Sequence, residues 1–235
     1  MKSDESLLIF GGSRGLGKKL ALKLSSSRNK VVVLSRRKPD WITSAHACEH
    51  VSIDLSSFTK DDLERKIKPF LSLRPSLIFA QRSRPLNSMS TNNDLAVSMG
   101  SIGTILDYII NNDLKFSKLS KYKVLVVGST YGQRIGFDQG WEYHSAKAGM
   151  ESIVRYFAIR HRIHFNIVGV RPCSFRRIEA SSNNDSGFSY SNDSRPTDDQ
   201  IADSCSNILE IVDDCLNGNI FDLDSCRRFE YNHFN

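Results

Sequence analysis

The stretch Leu7-Leu8-Ile9-Phe10-Gly11-Gly12-Ser13-Arg14-Gly15-Leu16-Gly17 decides the fold. Four consecutive apolar residues read as a strand buried on both faces. The glycines after it are spaced Gly11-x3-Gly15-x-Gly17, and an amphipathic helix is predicted over Leu16–Leu24. Glycine permits a turn with positive φ and lets backbone N–H groups approach a pyrophosphate. A helix N-terminus adds partial positive charge at the same place. Strand, glycine turn and helix in that order predict a phosphate cradle; the alternative is a glycine-rich structural turn.

The same alternation continues along the chain. Further strands are predicted at Val31–Leu34, Val51–Ile53, Leu77–Ala80, Val124–Val127, Asn166–Val170 and Ile220–Leu223. Helical patterns cover Leu95–Asn111, about Tyr143–Arg162, and Gln200–Leu216. Unbroken Val/Ile/Leu strands between helices predict an α/β domain, a doubly wound parallel sheet of about seven strands with helices on both faces. No shift in composition separates a second domain, so residues 1–235 are expected to form one. Two stretches are irregular: Arg82–Asp94, with Pro85, and Ser174–Asp199, rich in Ser, Asn and Asp. A loop as long as 174–199 is expected to act as a lid over the substrate.

The 235 residues carry 32 basic and 26 acidic side chains, a formal charge of +6. The surplus is uneven: residues 1–178 carry +15 and residues 179–235 carry −9. A nucleic acid or a phosphorylated ligand would each suit the basic part, but no nucleic-acid-binding motif or interleaved aromatic pattern is present. No apolar run approaches the roughly 18 residues of a membrane span, and the polar start, Met1 to Ser6, lacks a signal-peptide core. The expectation is no nucleic-acid partner and no membrane. The five cysteines form no CxxC pair and no zinc-like grouping with histidine, which predicts no metal and a reducing, cytoplasmic setting.

At the end of the second strand stands Ser35-Arg36-Arg37-Lys38. A site for NAD places an acidic residue there to bind the ribose 2′-hydroxyl. A hydroxyl followed by guanidinium groups suits a 2′-phosphate instead, so NADP(H) is the expected cofactor. Asp54, after the third strand, either meets the adenine amine or caps the next helix.

Ser129 follows the fifth strand in Gly128-Ser129-Thr130, and Tyr143-His144-Ser145-Ala146-Lys147 comes fourteen residues later. Tyr143 and Lys147, four apart, share one face of a helix. A nearby ammonium favours phenolate over phenol, which prepares a tyrosine to give or take a proton. Tyr-x-x-x-Lys alone is weak, but glycine turn, strand-end serine and Tyr-x-x-x-Lys in this order are specific.

On these elements, together with Asp54, Pro172 after the sixth strand and the terminal Gly218-Asn219-Ile220, nearly the whole chain resembles the single-domain short-chain dehydrogenases/reductases. The resemblance implies a Rossmann-type fold. It implies Tyr143 as general acid in carbonyl reduction, Ser129 as holder of the substrate oxygen, and Lys147 as ligand of the nicotinamide ribose. Tyr143 and Lys147 thus also face the cofactor. The implied cofactor contacts include Gly11, Ser13, Arg14, Gly15, Leu16 and Gly17 in the first turn, and Ser35, Arg36 and Arg37 in the second. Asp54, Leu55 and Ala80 would flank the adenosine, and Pro172 and Ser174 the nicotinamide. Family members usually form dimers or tetramers through the helices holding Leu95–Asn111 and Tyr143–Arg162, so a homodimer or homotetramer is implied.

The chain departs from the family pattern at several points. Phe10 stands where threonine is usual, and Phe79-Ala80-Gln81-Arg82 replaces an Asn-Ala-Gly stretch. Their joint replacement predicts a repacking of Phe10 against Phe79. Ser98 aligns with a relay asparagine, which either alters the relay or replaces part of it through water. Cys173 replaces the glycine after the proline and is expected to narrow the nicotinamide pocket, and the serine-to-tyrosine spacing is one residue longer.

Arg82, Arg84, Arg134, Arg171, Arg176 and Arg177 fall at strand ends or in the predicted lid. Either some form a cationic rim for an anionic or carrier-linked substrate, or they are solvated or paired with the acidic C-terminal part. Trp141 either lines the substrate pocket or packs at a subunit contact; His144 is expected to be exposed or at an interface. The leading expectation is an NADPH-dependent reductase of a ketone or aldehyde, acting in biosynthesis on a small carbonyl or alcohol substrate. The alternative is a cofactor-binding regulatory or assembly protein with lost or weak catalysis.

Overall fold

The computed structural model describes residues 3–43, 48–81, 95–112, 121–134, 140–173 and 196–223. Seven strands run in parallel: β1 (Ser3–Phe10), β2 (Arg28–Ser35), β3 (Cys48–Ser52), β4 (Ser76–Phe79), β5 (Tyr122–Val127), β6 (Phe165–Pro172) and β7 (Ile220–Leu223). Their order across the sheet is β3-β2-β1-β4-β5-β6-β7. The chain builds outward from β1 in one direction, then returns to build outward from β4 in the other. A crevice opens where such a sheet reverses, at the carboxyl ends of β1 and β4.

Both faces are covered, which is why the strands are apolar throughout rather than alternating. Helices α1 (Gly15–Ser25) and α6 (Asp198–Ile211) cover one face through Leu20, Leu24, Ile201, Cys205 and Leu209. Helices α2 (Lys60–Lys66), α3 (Lys68–Leu71), α4 (Ser101–Asn112) and α5 (Trp141–Arg160) lie along the chain between them. Of these, α2, α4 and α5 supply Leu63, Ile102, Ile105, Met150, Val154 and Phe157 to the layer on the other face. No helix among the described residues is long and apolar enough to cross a membrane. The four described cysteines are free thiols, and no group of residues there has the makings of a metal site.

The strands expected from the sequence are all present, and most differ only at their ends. β1 and β2 begin earlier than their apolar runs because polar residues also join the ladder: Ser6 pairs with Lys30, and Arg28 is buried with its guanidinium 2.6 Å from Glu210 on α6. β3 lies at Cys48–Ser52, not Val51–Ile53. As an edge strand it exposes Glu49 and Ser52, so the pattern of a buried strand is missing. Helices α2 and α3 were not expected. Their signal is a box in which Thr59 Oγ1 accepts from the Asp62 N–H while Asp62 accepts from the Thr59 N–H, followed by Pro69 in the first turn of α3. Helix α6 starts at Asp198, behind a similar box of Thr197 and Gln200, so Asp198 and Asp199 of the predicted loop are helical. Residues 174–195 of that loop lie outside the described residues, as do 82–94.

Phe10 and Phe79 are register partners on β1 and β4. Their rings stack with centroids 4.6 Å apart and planes within 8°. Both are fully buried. The expected repacking is therefore present: an aromatic pair joins the two strands that border the crevice. Such pairs contribute about 0.5–1.5 kcal/mol beyond the area they bury. A double-mutant cycle of Phe10→Leu and Phe79→Leu, read by urea unfolding, should give a coupling energy in that range. Strict additivity would show that the stack adds nothing beyond burial.

Candidate active site at the switch point

The glycine turn is built by steric necessity at two of its glycines. Gly11 has φ +87°, and a Cβ there would stand 2.5 Å from the Gln81 Cα at the end of β4. A Cβ on Gly17 would stand 2.5 Å from the Gly11 carbonyl oxygen. Gly15 differs: its φ is +55°, but a Cβ would meet nothing within 4 Å. It faces open space at the start of α1. Arg14 is the N-cap of α1, extended and exposed, with no side-chain cap on the helix and no acidic residue in the first turn. The first N–H groups of α1 thus end a helix with its positive pole uncapped, beside an open glycine. Leu16 and Gly17 are buried beneath the turn.

The second predicted cofactor segment ends β2. Arg36, Arg37 and Lys38 are exposed. The Ser35 hydroxyl donates to the Arg37 carbonyl at 2.9 Å, so it closes its own turn. Asp54 accepts from both the amide and the hydroxyl of Ser56 at 2.9 and 2.6 Å. Partial burial opposes its charged form, but these two hydrogen bonds and the nearby Arg36 charge outweigh it, and the carboxyl is held below the usual range. Asp54 does not cap the next helix; Thr59 does. The Leu55 side chain is buried in the apolar layer, and the Ala80 N–H donates to the Phe10 carbonyl, which ties the end of β4 to the end of β1.

Across the crevice lie Ser129, Tyr143 and Lys147. Ser129 is half-buried at the end of β5, and its Oγ accepts from the Tyr131 N–H at 3.3 Å. That contact uses a lone pair and not the hydroxyl proton. Tyr143 and Lys147 are buried in the first two turns of α5. The Lys147 ammonium sits 5.6 Å from the centroid of the Tyr143 ring, within cation–π range. It also lies 3.5 Å from the Val127 carbonyl and 3.4 Å from Met150 Sδ. Tyr131 packs edge-on against Tyr143 at 6.1 Å, and its carbonyl lies 2.8 Å from His144 Nδ1. His144 is thus half-buried against the serine turn, not exposed. Pro172 is buried at the end of β6, with Cys173 half-buried after it.

The helix before α4 does not run straight. Ala96–Gly100 forms a π turn, a feature frequent at functional sites. Ser98 on this turn has no exposed surface, and its hydroxyl has no partner among the described residues. Gln81, also buried, donates to Ser101 Oγ at 3.2 Å, while its own carbonyl oxygen is unpartnered among the described residues.

No protein-family model matches the chain, and no curated protein matches its sequence. Solved structures match it over nearly its full length. A short-chain dehydrogenase from Bacillus anthracis is 17% identical, with 94% of this chain and 95% of that one covered, at a TM-score of 0.73. A short-chain dehydrogenase from Leptospira borgpetersenii with bound NAD+ is 18% identical, covering 95% and 92%, at 0.70. A 4-hydroxyisoleucine dehydrogenase complexed with NADH and succinate is 15% identical, covering 93% and 97%, at 0.74. The chain has the short-chain dehydrogenase/reductase fold.

Within the short-chain dehydrogenase fold, the described site residues fall at or just beyond the carboxyl ends of β1 to β6 and along α5. Ser174 and Arg82 lie outside the described residues, as do Arg84, Arg176 and Arg177. Arg134 is exposed after the serine turn. Trp141 is 67% exposed and two positions before Tyr143, about 200° around the helix.

Arg171 is not a rim residue. It is buried and forks onto Glu151 of α5, with Nε 2.5 Å from Oε1 and Nη2 2.9 Å from Oε2. Its Nη1 reaches both oxygens of Asp222 on β7 at 3.1 and 3.2 Å. The Glu151 carboxylate pushes the already high Arg171 pKa upward, so the charge is permanent. Of the two readings of Arg171, pairing with the acidic C-terminal part is the one found. Glu151 was missed, although Tyr143, Lys147 and Glu151 recur at four-residue spacing on one face. A Cβ on Gly132 would stand 3.1 Å from Glu151 Oε1, so the same carboxylate also abuts the serine turn.

Glu151→Ala leaves Arg171 buried without its main partner. Breaking a buried pair costs about 3–5 kcal/mol. Urea unfolding should show a loss near the lower end of that range, since Asp222 remains. A change within about 0.5 kcal/mol, the usual range for plain surface substitutions, would mean that the pair contributes nothing to the fold.

Proposed function

We propose that the chain is an NADP(H)-dependent oxidoreductase that reduces a ketone or aldehyde to an alcohol, with Tyr143 as general acid. The observation that carries this is the buried Tyr143–Lys147 pair beside Ser129, across the crevice from an open glycine turn. The adenine dinucleotide fits the residues present. Gly15 leaves the space of a side chain unfilled at the uncapped N-terminus of α1, which suits a pyrophosphate. Arg36 and Arg37 are exposed where a 2′-phosphate would lie, with Arg14 exposed in the first turn.

The nicotinamide supplies the hydride, and the protein supplies placement and proton transfer. Ser129 keeps a hydroxyl proton to donate to the substrate oxygen. Tyr143 gives its phenolic proton to that oxygen as it becomes an alcohol, and the Lys147 ammonium favours the resulting phenolate. Lys147 would hold the nicotinamide ribose, and the strand-end residues Pro172 and Cys173 would border the nicotinamide. In this reading Ser98, a buried hydroxyl on the π turn, takes part of the relay asparagine's place through water.

Exposed Arg134 suits an anionic or carrier-linked substrate, and the reaction suits a biosynthetic step. Trp141, Tyr156 and Ile159 are exposed on α5, which favours a homodimer or homotetramer built on this helix, with Trp141 at the contact. The free thiols of Cys48, Cys173, Cys205 and Cys215 suit a reducing, cytoplasmic setting.

The test follows NADPH oxidation across a panel of ketones and aldehydes. Tyr143→Phe should lower kcat by about 10²–10⁴-fold while NADPH binding is kept. Full activity in that variant would overturn the mechanism. Tight NADPH binding by the unaltered protein with no turnover on the panel would support the other reading, a cofactor-binding protein without useful catalysis. The replacement of the family's Asn-Ala-Gly stretch by Phe79-Ala80-Gln81 is what favours that reading.

A further inference from the structure

The edge strand β3 lies beside the basic turn that ends β2, and its polar side chains hold that turn by its backbone. His50 Nε2 lies 3.1 Å from Ser35 Oγ and 3.2 Å from the Ser35 carbonyl oxygen. The Ile53 N–H donates to the same carbonyl at 3.1 Å. Ser52 Oγ donates to the Arg36 carbonyl at 3.0 Å, and Ser35 Oγ donates to the Arg37 carbonyl at 2.9 Å. Three consecutive carbonyls are therefore tied down, while the side chains of Arg36 and Arg37 remain exposed.

The hydrogen-bond count assigns the His50 tautomer. The Ser35 hydroxyl proton is committed to Arg37, and a carbonyl oxygen only accepts. Both Ser35 oxygens must then receive from His50, so Nε2 carries the hydrogen. Burial, with the Lys38 charge added, outweighs the Ser35 carbonyl and keeps the ring's pKa below its ordinary value. The ring is thus neutral at neutral pH and adds no charge of its own to the turn. A second tether fixes the loop that follows: Trp41 Nε1 donates to the Ser13 carbonyl at 3.0 Å, linking it to the glycine turn.

We propose that His50 is a specificity-determining residue: by pinning the Ser35–Arg37 turn, it sets this chain's preference for a 2′-phosphorylated over a 2′-hydroxyl dinucleotide. This rests on the reading above in one respect, that Arg36 and Arg37 meet the 2′-phosphate. A guanidinium fork binds phosphate through paired, directed hydrogen bonds. A turn that is already ordered does not have to be ordered on binding. A dinucleotide without the phosphate brings only its 2′-hydroxyl to this turn, offers the guanidinium forks no anion, and gains far less from the turn's order.

The experiment measures dissociation constants of NADPH and NADH, and of the fragments 2′,5′-ADP and 5′-AMP, for the full chain and three variants. His50→Phe keeps an aromatic ring and removes the N–H. It should weaken NADPH and 2′,5′-ADP by about tenfold and leave NADH and 5′-AMP within about twofold. His50→Gln, which restores an N–H near the position of Nε2, should recover most of the loss. Ser52→Ala removes only the tie to Arg36 at an exposed hydroxyl, and should shift the same ratio in the same direction by a smaller factor; it decides the matter if His50→Phe does not fold. Equal weakening of all four ligands, or no change in the NADPH-to-NADH ratio in either variant, would overturn the inference while leaving the phosphate reading intact. An unaltered protein that binds NADH as tightly as NADPH would overturn both.

Discussion

At Gly17 a single added carbon would collide with the Gly11 carbonyl oxygen. That contact is the constraint on which the rest of the molecule depends. Helix α1 begins within touching distance of the turn that leaves β1, so its uncapped N-terminus lies close against that turn. Gly11 transmits the same closeness to β4, because its Cα leaves no room for a side chain beside Gln81. Three backbone segments meet where the sheet reverses, and a ligand in the crevice meets main chain and a helix pole before it meets side chains. An anionic pyrophosphate is the partner that such a surface suits.

Two interactions hold the walls of this crevice in place. The Phe10–Phe79 stack joins its two bordering strands from within the core, where short-chain dehydrogenases usually use hydrogen-bonding side chains. The Glu151–Arg171–Asp222 cluster joins α5 to β6 and β7, and Glu151 also abuts Gly132 after the serine. Lys147 and Tyr143 are about one and two turns up the same helix face from Glu151. The apolar device and the ionic device differ in what they demand. The stack needs only two register partners of matching size. The ion cluster needs every charge answered, because a lone guanidinium in that place is costly.

Much of this was legible from pattern alone, for physical reasons. A sheet covered on both faces must have apolar strands, so Leu7–Phe10, Val124–Val127 and their like announce themselves, and the glycine spacing marks the one turn where side chains cannot fit. The Phe10–Phe79 contact was legible because two substitutions made sense only together. What the pattern hid was governed by neighbours distant in sequence. Arg171 reads as a surface cation until β7 brings Asp222 beside it. The π turn at Ala96–Gly100 leaves no mark in apolar spacing. His50 and Ser52 look like exposed residues of an edge strand, and their work is on backbone carbonyls that no sequence pattern displays. The Thr59–Asp62 box was visible as a local motif, but the helix it starts is short and presents only Leu63 as a buried residue.

In the proposed function, the switch-point crevice between β1 and β4 would hold a phosphorylated dinucleotide along the main chain of α1 and the turn after β2. Amide hydrogen exchange, followed by mass spectrometry with and without saturating NADPH, reads this directly. Slowed exchange is expected at Gly12–Lys18 and Arg36–Lys38, with little change in the groove of about 420 Å³ between α2 and α4 that Thr59, Lys60, Thr104 and Asn111 line. Protection confined to that groove, or none at the glycine turn under saturating cofactor, would contradict it.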